Sequence, residues 1–147
     1  MSDESSLYAS LHARFVYFGR LDRVENRLGS GVGMPDLHYL LRRNPRARGV
    51  GGWLELKWEP RWPVRPETPV ELTKLTLDQV MWHEDYHRLG GRVFTLAQIG
   101  TSYVLFDAPV LRRVWEGQLT RRMLLGQALV SGQRSLPGPE VLKCLTA

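Results

Sequence analysis

The sequence has a single cysteine, no long apolar run and no repeated or low-complexity tract. With Cys144 alone, neither an internal disulfide framework nor a cysteine-rich zinc site can be built. No apolar stretch approaches the roughly 20 residues that a membrane-spanning helix needs, so no membrane partner is expected. The first six residues, Met1-Ser2-Asp3-Glu4-Ser5-Ser6, are acidic and polar, unlike the basic and apolar start of a secretory signal. A cytoplasmic protein is the expectation.

What is present fits a globular chain. The 147 residues, 43% hydrophobic and 24% charged, suffice for one domain with a buried core. Net charge is +5 with a sequence pI near 9.8, and the excess is mostly arginine. Arginine's planar fork donates two parallel hydrogen bonds to a phosphate, which makes nucleic acid one natural partner. Charge alone leaves that open, because many soluble proteins are mildly basic without binding nucleic acid.

Periodicity orders the chain. Leu7, Leu11, Phe15 and Phe18 recur at helical spacing, which predicts an amphipathic helix over 7–22 with a cap at Ser5 or Ser6. The glycines at 29, 31 and 33 break it. Leu37, Tyr39 and Leu41 then alternate in a short strand, and an arginine-rich turn over 42–49 leads to a second strand over 52–58. In that second strand Trp53, Glu55 and Lys57 share one face, and Leu54, Leu56 and Trp58 share the other. A proline-rich loop over 60–69 precedes a helix from about Thr76 to Arg88, which Gly90-Gly91 stops. Strands over 92–99 and 102–106 follow, and the remainder reads as helical, fraying over 135–139. This order predicts an α/β or α+β fold with a central mixed β-sheet.

Two carboxylates stand out. Asp36 opens the first strand and Glu55 lies on the next, so a hairpin would bring both to one end of the sheet. Close carboxylates repel unless a cation lies between them. Oxygen donors with open positions suit Mg²⁺ or Mn²⁺, which activate water and polarise phosphate. Lys57, beside Glu55, is placed to orient that water. Each residue also has a plainer reading: Glu55 and Lys57 as a solvated ion pair, Asp36 as a turn residue. Ser30 and His38 are candidates for phosphate or water contact, with simple structural roles as the alternative. Arg23, Arg27, Arg42, Arg43, Arg46 and Arg48 suit a DNA backbone, or form a solvated basic surface.

The run Gly31-Val32-Gly33-Met34-Pro35-Asp36, a strand, the arginine-rich turn and Trp53-Leu54-Glu55-Leu56-Lys57 together resemble the PD-(D/E)XK nuclease superfamily. The resemblance is nearest to small phage and VRR-NUC-like members, some of them similar to Holliday-junction resolvases, and spans about 22–106. It implies a single restriction-endonuclease-like α/β domain, with a core of about 7–108 and a C-terminal helical extension of about 109–147. It implies a Mg²⁺- or Mn²⁺-dependent DNA endonuclease, structure-selective for branched DNA. By the resemblance Asp36, Glu55 and the Leu56 carbonyl hold the metal and Lys57 is the motif lysine. Glu25 stands where the family often places an acidic residue from the first helix, and Gln79 matches a glutamine common in these nucleases. Glu25 also reads as a helix-end carboxylate paired with Arg23 or Arg27, and Gln79 as a first-turn polar residue. Relatives of the resolvase type are commonly dimers, and the apolar stretch over 110–130 offers a homodimer interface or packs on the sheet.

A competing pattern is His83-Glu84-Asp85-Tyr86-His87, which fits the H-E-x-x-H of zinc metallopeptidases. Gly90 continues the extended pattern, but Val93 stands where its third histidine belongs. The segment is too polar for a peptidase core helix, so His83 and His87 are expected on an exposed helix surface. Two further readings are a non-cleaving nucleic-acid-binding module of the same fold and a nuclease acting on RNA or single strands.

Overall fold

The structure is a computed structural model that describes residues 3–24 and 32–147. Glu25, Arg27 and Ser30 lie outside the described residues. The first helix, α1 (Glu4–Phe15), is capped by Asp3, whose carboxylate accepts the Ser6 N–H at 2.8 Å. The cap therefore stands two residues ahead of the expected serines. Leu7, Leu11 and Phe15 bury one stripe, but the helix ends at Phe15 rather than near 22. A 3-10 turn, Val16–Phe18, follows, and then strand β1 (Gly19–Arg23). Gly19 explains the early stop. Its φ of +151° is open to glycine, and a Cβ there would lie 2.0 Å from the Leu40 carbonyl oxygen.

Strands β2 (Leu37–Leu41) and β3 (Val50–Glu59) form the expected antiparallel hairpin, with Leu37 opposite Leu54 and Tyr39 opposite Gly52. Helix α2 (Leu77–Arg88) crosses over to β4 (Val93–Ile99), which runs parallel to β3, and β5 (Ser102–Asp107) returns antiparallel. The last third of the chain is more than helical. It holds α3 (Ala108–Trp115), α4 (Arg121–Gln127), strand β6 (Val130–Gln133) and α5 (Gly138–Leu145). The result is one mixed six-stranded sheet in chain order, β1 to β6, with β3–β4 its parallel pair.

Each face of the sheet has its own core. On one, Leu37, Tyr39, Leu41, Leu54, Leu56, Leu96 and Leu105 pack against α1 and against Val141, Leu142 and Leu145 of α5. The segment expected to fray is thus part of this core. On the other face Ala97, Ile99, Val104 and Phe106 meet Val80 of α2, with Val110, Leu111 and Val114 of α3 and Leu124 of α4. Those α3 and α4 side chains are buried within the molecule. Within 110–130, Val110, Leu111, Val114, Leu119 and Leu124 pack into this core, while Trp115, Met123 and Leu129 remain exposed.

Candidate active site

Strand alternation decides where the acidic side chains go. Leu54 and Leu56 bury into the α1/α5 core, so Glu55 and Lys57 must project to the opposite face, beneath α2. One step beyond the Leu37–Leu54 pair, the antiparallel register puts Asp36 across from Glu55. The two carboxyl groups lie within hydrogen-bonding reach of each other, and Asp36 Oδ2 also accepts the Leu56 N–H at 2.9 Å. The strands meet as a pair of acids, with an amine on the same face.

Burial sets the charge state. Glu55 is 1% exposed, and its Oε1 has no partner among the described residues. Burial pushes its pKa well above the usual carboxylate range, and the hydrogen bond and charge of Asp36 push it further, while Lys57 pulls it down. Lys57 is itself buried, at 4% exposure, and its Nζ donates to the Lys74 carbonyl at 3.3 Å. A solvated ion pair is therefore not what this strand presents. The glycine at 33 shapes the approach: at φ +84° a Cβ would sit 2.2 Å from the Asp78 carbonyl oxygen in the first turn of α2. The turn before Asp36 is thereby pressed against that helix.

The donor set fits a hard divalent cation. Among the described residues no three His, Cys, Asp or Glu side chains gather as a metal cage. Mg²⁺ and Mn²⁺ need only one or two carboxylates, with water and substrate phosphate completing the shell. Asp36 and Glu55 supply those two, and the unpartnered Glu55 oxygen is what a cation would neutralise. Leu56 can add a third oxygen. Alternate residues turn their backbone groups to opposite strand edges. Trp53 N–H bonds toward β4, and Leu56 N–H bonds toward Asp36, so the Leu56 carbonyl also faces the Asp36 edge.

No family model matches the chain, and no curated protein matches it in sequence. Among solved structures, a Holliday junction resolvase, Hjc, of the archaeal hyperthermophile Archaeoglobus fulgidus matches with a TM-score of 0.50. The match covers 83% of this chain and 87% of that one, at 18% identity. The fold is restriction-endonuclease-like.

On this restriction-endonuclease-like fold the other expected site residues separate. Arg23 ends β1 with its guanidinium 4.4 Å from the ring centroid of Tyr8 in α1, and the next residue, Val24, donates its N–H to the Asp36 carbonyl at 2.9 Å. Arg42 and Arg43 are exposed at the far end of the hairpin. Six residues of strand place them about 20 Å from the carboxylates. Gln79 completes a capping box: its Oε1 accepts the Thr76 N–H at 3.1 Å, and Thr76 Oγ1 accepts the Gln79 N–H at 3.2 Å. His38 stands edge-on to Trp53, its register partner, at 4.9 Å between ring centroids.

Two further residues, Glu4 and His83, stand near the site. Glu4, in the first turn of α1, is half-buried, with its pKa raised by burial, lowered by Lys57 and raised by Asp36. It brings a carboxylate of the first helix toward the pair. Its signal was Asp3-Glu4 heading an apolar stripe at helical spacing. His83, expected on the surface, is fully buried, its pKa lowered to about 4 by burial and by the charge of Lys57, against an opposing pull from Asp36. His87, four residues on, is exposed. Glu84 accepts from Arg112 Nε at 2.9 Å in α3. The H-E-x-x-H residues are thus divided among three surroundings, and no zinc cage forms among the described residues.

Proposed function

We propose that this chain is a divalent-metal-dependent nuclease that hydrolyses DNA phosphodiesters, preferring branched DNA. The observation that carries this reading is buried Glu55 paired with half-buried Asp36, with buried Lys57 on the same face of a restriction-endonuclease-like sheet. Similarity of fold to a protein described as a Holliday junction resolvase supports the branched substrate. The order of acid, Glu-x-Lys, capped helix and Gly-Gly turn supports the finer assignment to small phage and VRR-NUC-like members. Two chains acting together would bring two carboxylate pairs to one junction, which favours a homodimer on the substrate.

Asp36, Glu55 and the Leu56 carbonyl would hold Mg²⁺ or Mn²⁺. When bound, such an ion makes water more acidic and polarises the phosphoryl oxygens. Lys57 aligns the attacking water and offsets negative charge that develops on the phosphate. Glu4 adds negative field on the α1 side, and Arg23 is placed to take a backbone phosphate. The buried setting of Glu55 and Lys57 strengthens each of these interactions relative to water.

The test is incubation with end-labelled four-way junction, duplex and single-stranded DNA in Mg²⁺, Mn²⁺ or EDTA. Cleavage is expected with either ion, none in EDTA, and the fastest rate on the junction. Lys57→Ala should lose about 10²–10³-fold in rate, the usual loss when one charge-stabilising donor is removed. Equal cutting by Lys57→Ala would point to a contaminant, and binding without cutting would favour the non-cleaving module.

A further inference from the structure

Three residues on the face beneath α2 carry buried polar atoms that no described residue satisfies: Glu55 at Oε1, Thr95 at Oγ1, and His83 at both ring nitrogens. They come from three different elements, β3, β4 and α2. Folded proteins leave few buried polar groups unpaired. Three on one face therefore need a reason. Thr95 is the parallel register partner of Glu55, so its side chain stands beside that carboxyl on the same face. Adjacent strands lie about 4.8 Å apart, within reach of a hydroxyl hydrogen bond. His83 is, with Val80, one of the two buried residues of α2, so it points down from that helix toward the strand face that carries Glu55 and Thr95.

Their chemistries are complementary. A charged carboxylate only accepts hydrogen bonds, a threonine hydroxyl can donate, and a neutral imidazole has one N–H to donate. With one Glu55 oxygen on a divalent ion, the other is a buried acceptor that needs donors. Among the described residues, Thr95 and His83 are the unpartnered donors on that face.

We propose that His83 and Thr95 are positioning residues for the cation site: they donate hydrogen bonds to the Glu55 oxygen that the ion leaves free, directly or through one water, and fix the carboxylate's orientation toward the ion. This rests on the metal-dependent reading above and adds two residues to it. It also gives a role to the one histidine of the H-E-x-x-H pattern that is buried.

Calorimetric titration of the full chain with MnCl₂, without DNA, tests it. Thr95→Val keeps the shape and removes the donor; His83→Phe removes both ring nitrogens; His83→Gln keeps an N–H. Thr95→Val and His83→Phe should each weaken Mn²⁺ binding 10–100-fold, the usual effect of losing such an outer contact, and His83→Gln should recover most of it. Unchanged Mn²⁺ affinity in Thr95→Val and His83→Phe, even with a lowered melting temperature, would reduce both residues to packing and overturn the proposal. Should His83→Phe fail to fold, the near-isosteric Thr95→Val decides between the two results. Absence of Mn²⁺ binding by the unmodified chain is a separate outcome that overturns the metal-site reading itself, and this inference with it.

Discussion

At the residue scale, Glu55 and His83 impose opposite pH dependences on the same small volume. Glu55 has a folded pKa well above its unfolded value. The folded state then binds its proton more tightly, so this contribution is full below about pH 4.5 and is lost as pH rises through the folded pKa. His83 is the reverse. Its folded pKa, about 4, lies below the ordinary histidine value of 6.5, so the unfolded chain binds the extra proton. Its contribution is full above pH 6.5 and is lost as pH falls towards 4, by roughly 3 kcal/mol at the bottom of that window. Thermal melts from pH 4 to 8 in EDTA should show Glu55→Gln flattening the loss at higher pH, and His83→Gln flattening the loss on the acid side. Adding Mg²⁺ should restore the stability lost at higher pH in the unmodified chain but not in Glu55→Gln. A Glu55→Gln profile that matches the unmodified one would mean that the buried carboxyl is not what titrates.

At the scale of elements, legibility in the sequence followed side-chain pattern. The β2–β3 hairpin and α2 were readable because their information is local: Leu37, Tyr39 and Leu41 alternate, and Thr76 caps three residues ahead of Gln79. The meeting of Asp36 and Glu55 followed from the hairpin. Edge strands were not readable. β1 buries only Leu21, and β6 is half-exposed along its length, so both are defined by backbone pairing that composition does not display. α5 was hidden by Pro137 and Pro139, which read as a fraying end, although proline in a first turn is a helix start. The burial of His83 escaped because polar neighbours mask the inward face of α2, whose buried residues are Val80 and His83. Contact between elements also sets a prediction at Gly33. A Cβ there meets the Asp78 carbonyl oxygen at 2.2 Å, on backbone that cannot yield cheaply. Gly33→Ala should cost more than about 1 kcal/mol in urea unfolding and weaken Mn²⁺ binding, because the turn it displaces carries Asp36. Full stability with full Mn²⁺ affinity would show that the turn and α2 are not mechanically joined.

At the scale of the whole molecule, positive charge is distributed in a way that bears on substrate size. Arg23 lies at the carboxylate end of the sheet, whereas Arg42 and Arg43 are exposed at the other end of the hairpin. The separation of about 20 Å equals roughly six base pairs of duplex at 3.4 Å each. If one DNA arm lies along the hairpin, the far arginines touch phosphates well away from the scissile bond and contribute affinity rather than chemistry. Arg42→Ala with Arg43→Ala should then weaken binding to long-armed junctions and reduce the slope of log affinity against log salt by about 2. The cleavage rate at saturating DNA and the Mn²⁺ affinity should remain as in the unmodified chain. Arms cut back below about six base pairs should be bound equally by both proteins, since they cannot reach the turn. An unchanged salt slope with long arms would make the arginine-rich turn a solvated surface, and would confine the DNA footprint to the end of the sheet that holds Asp36, Glu55 and Arg23.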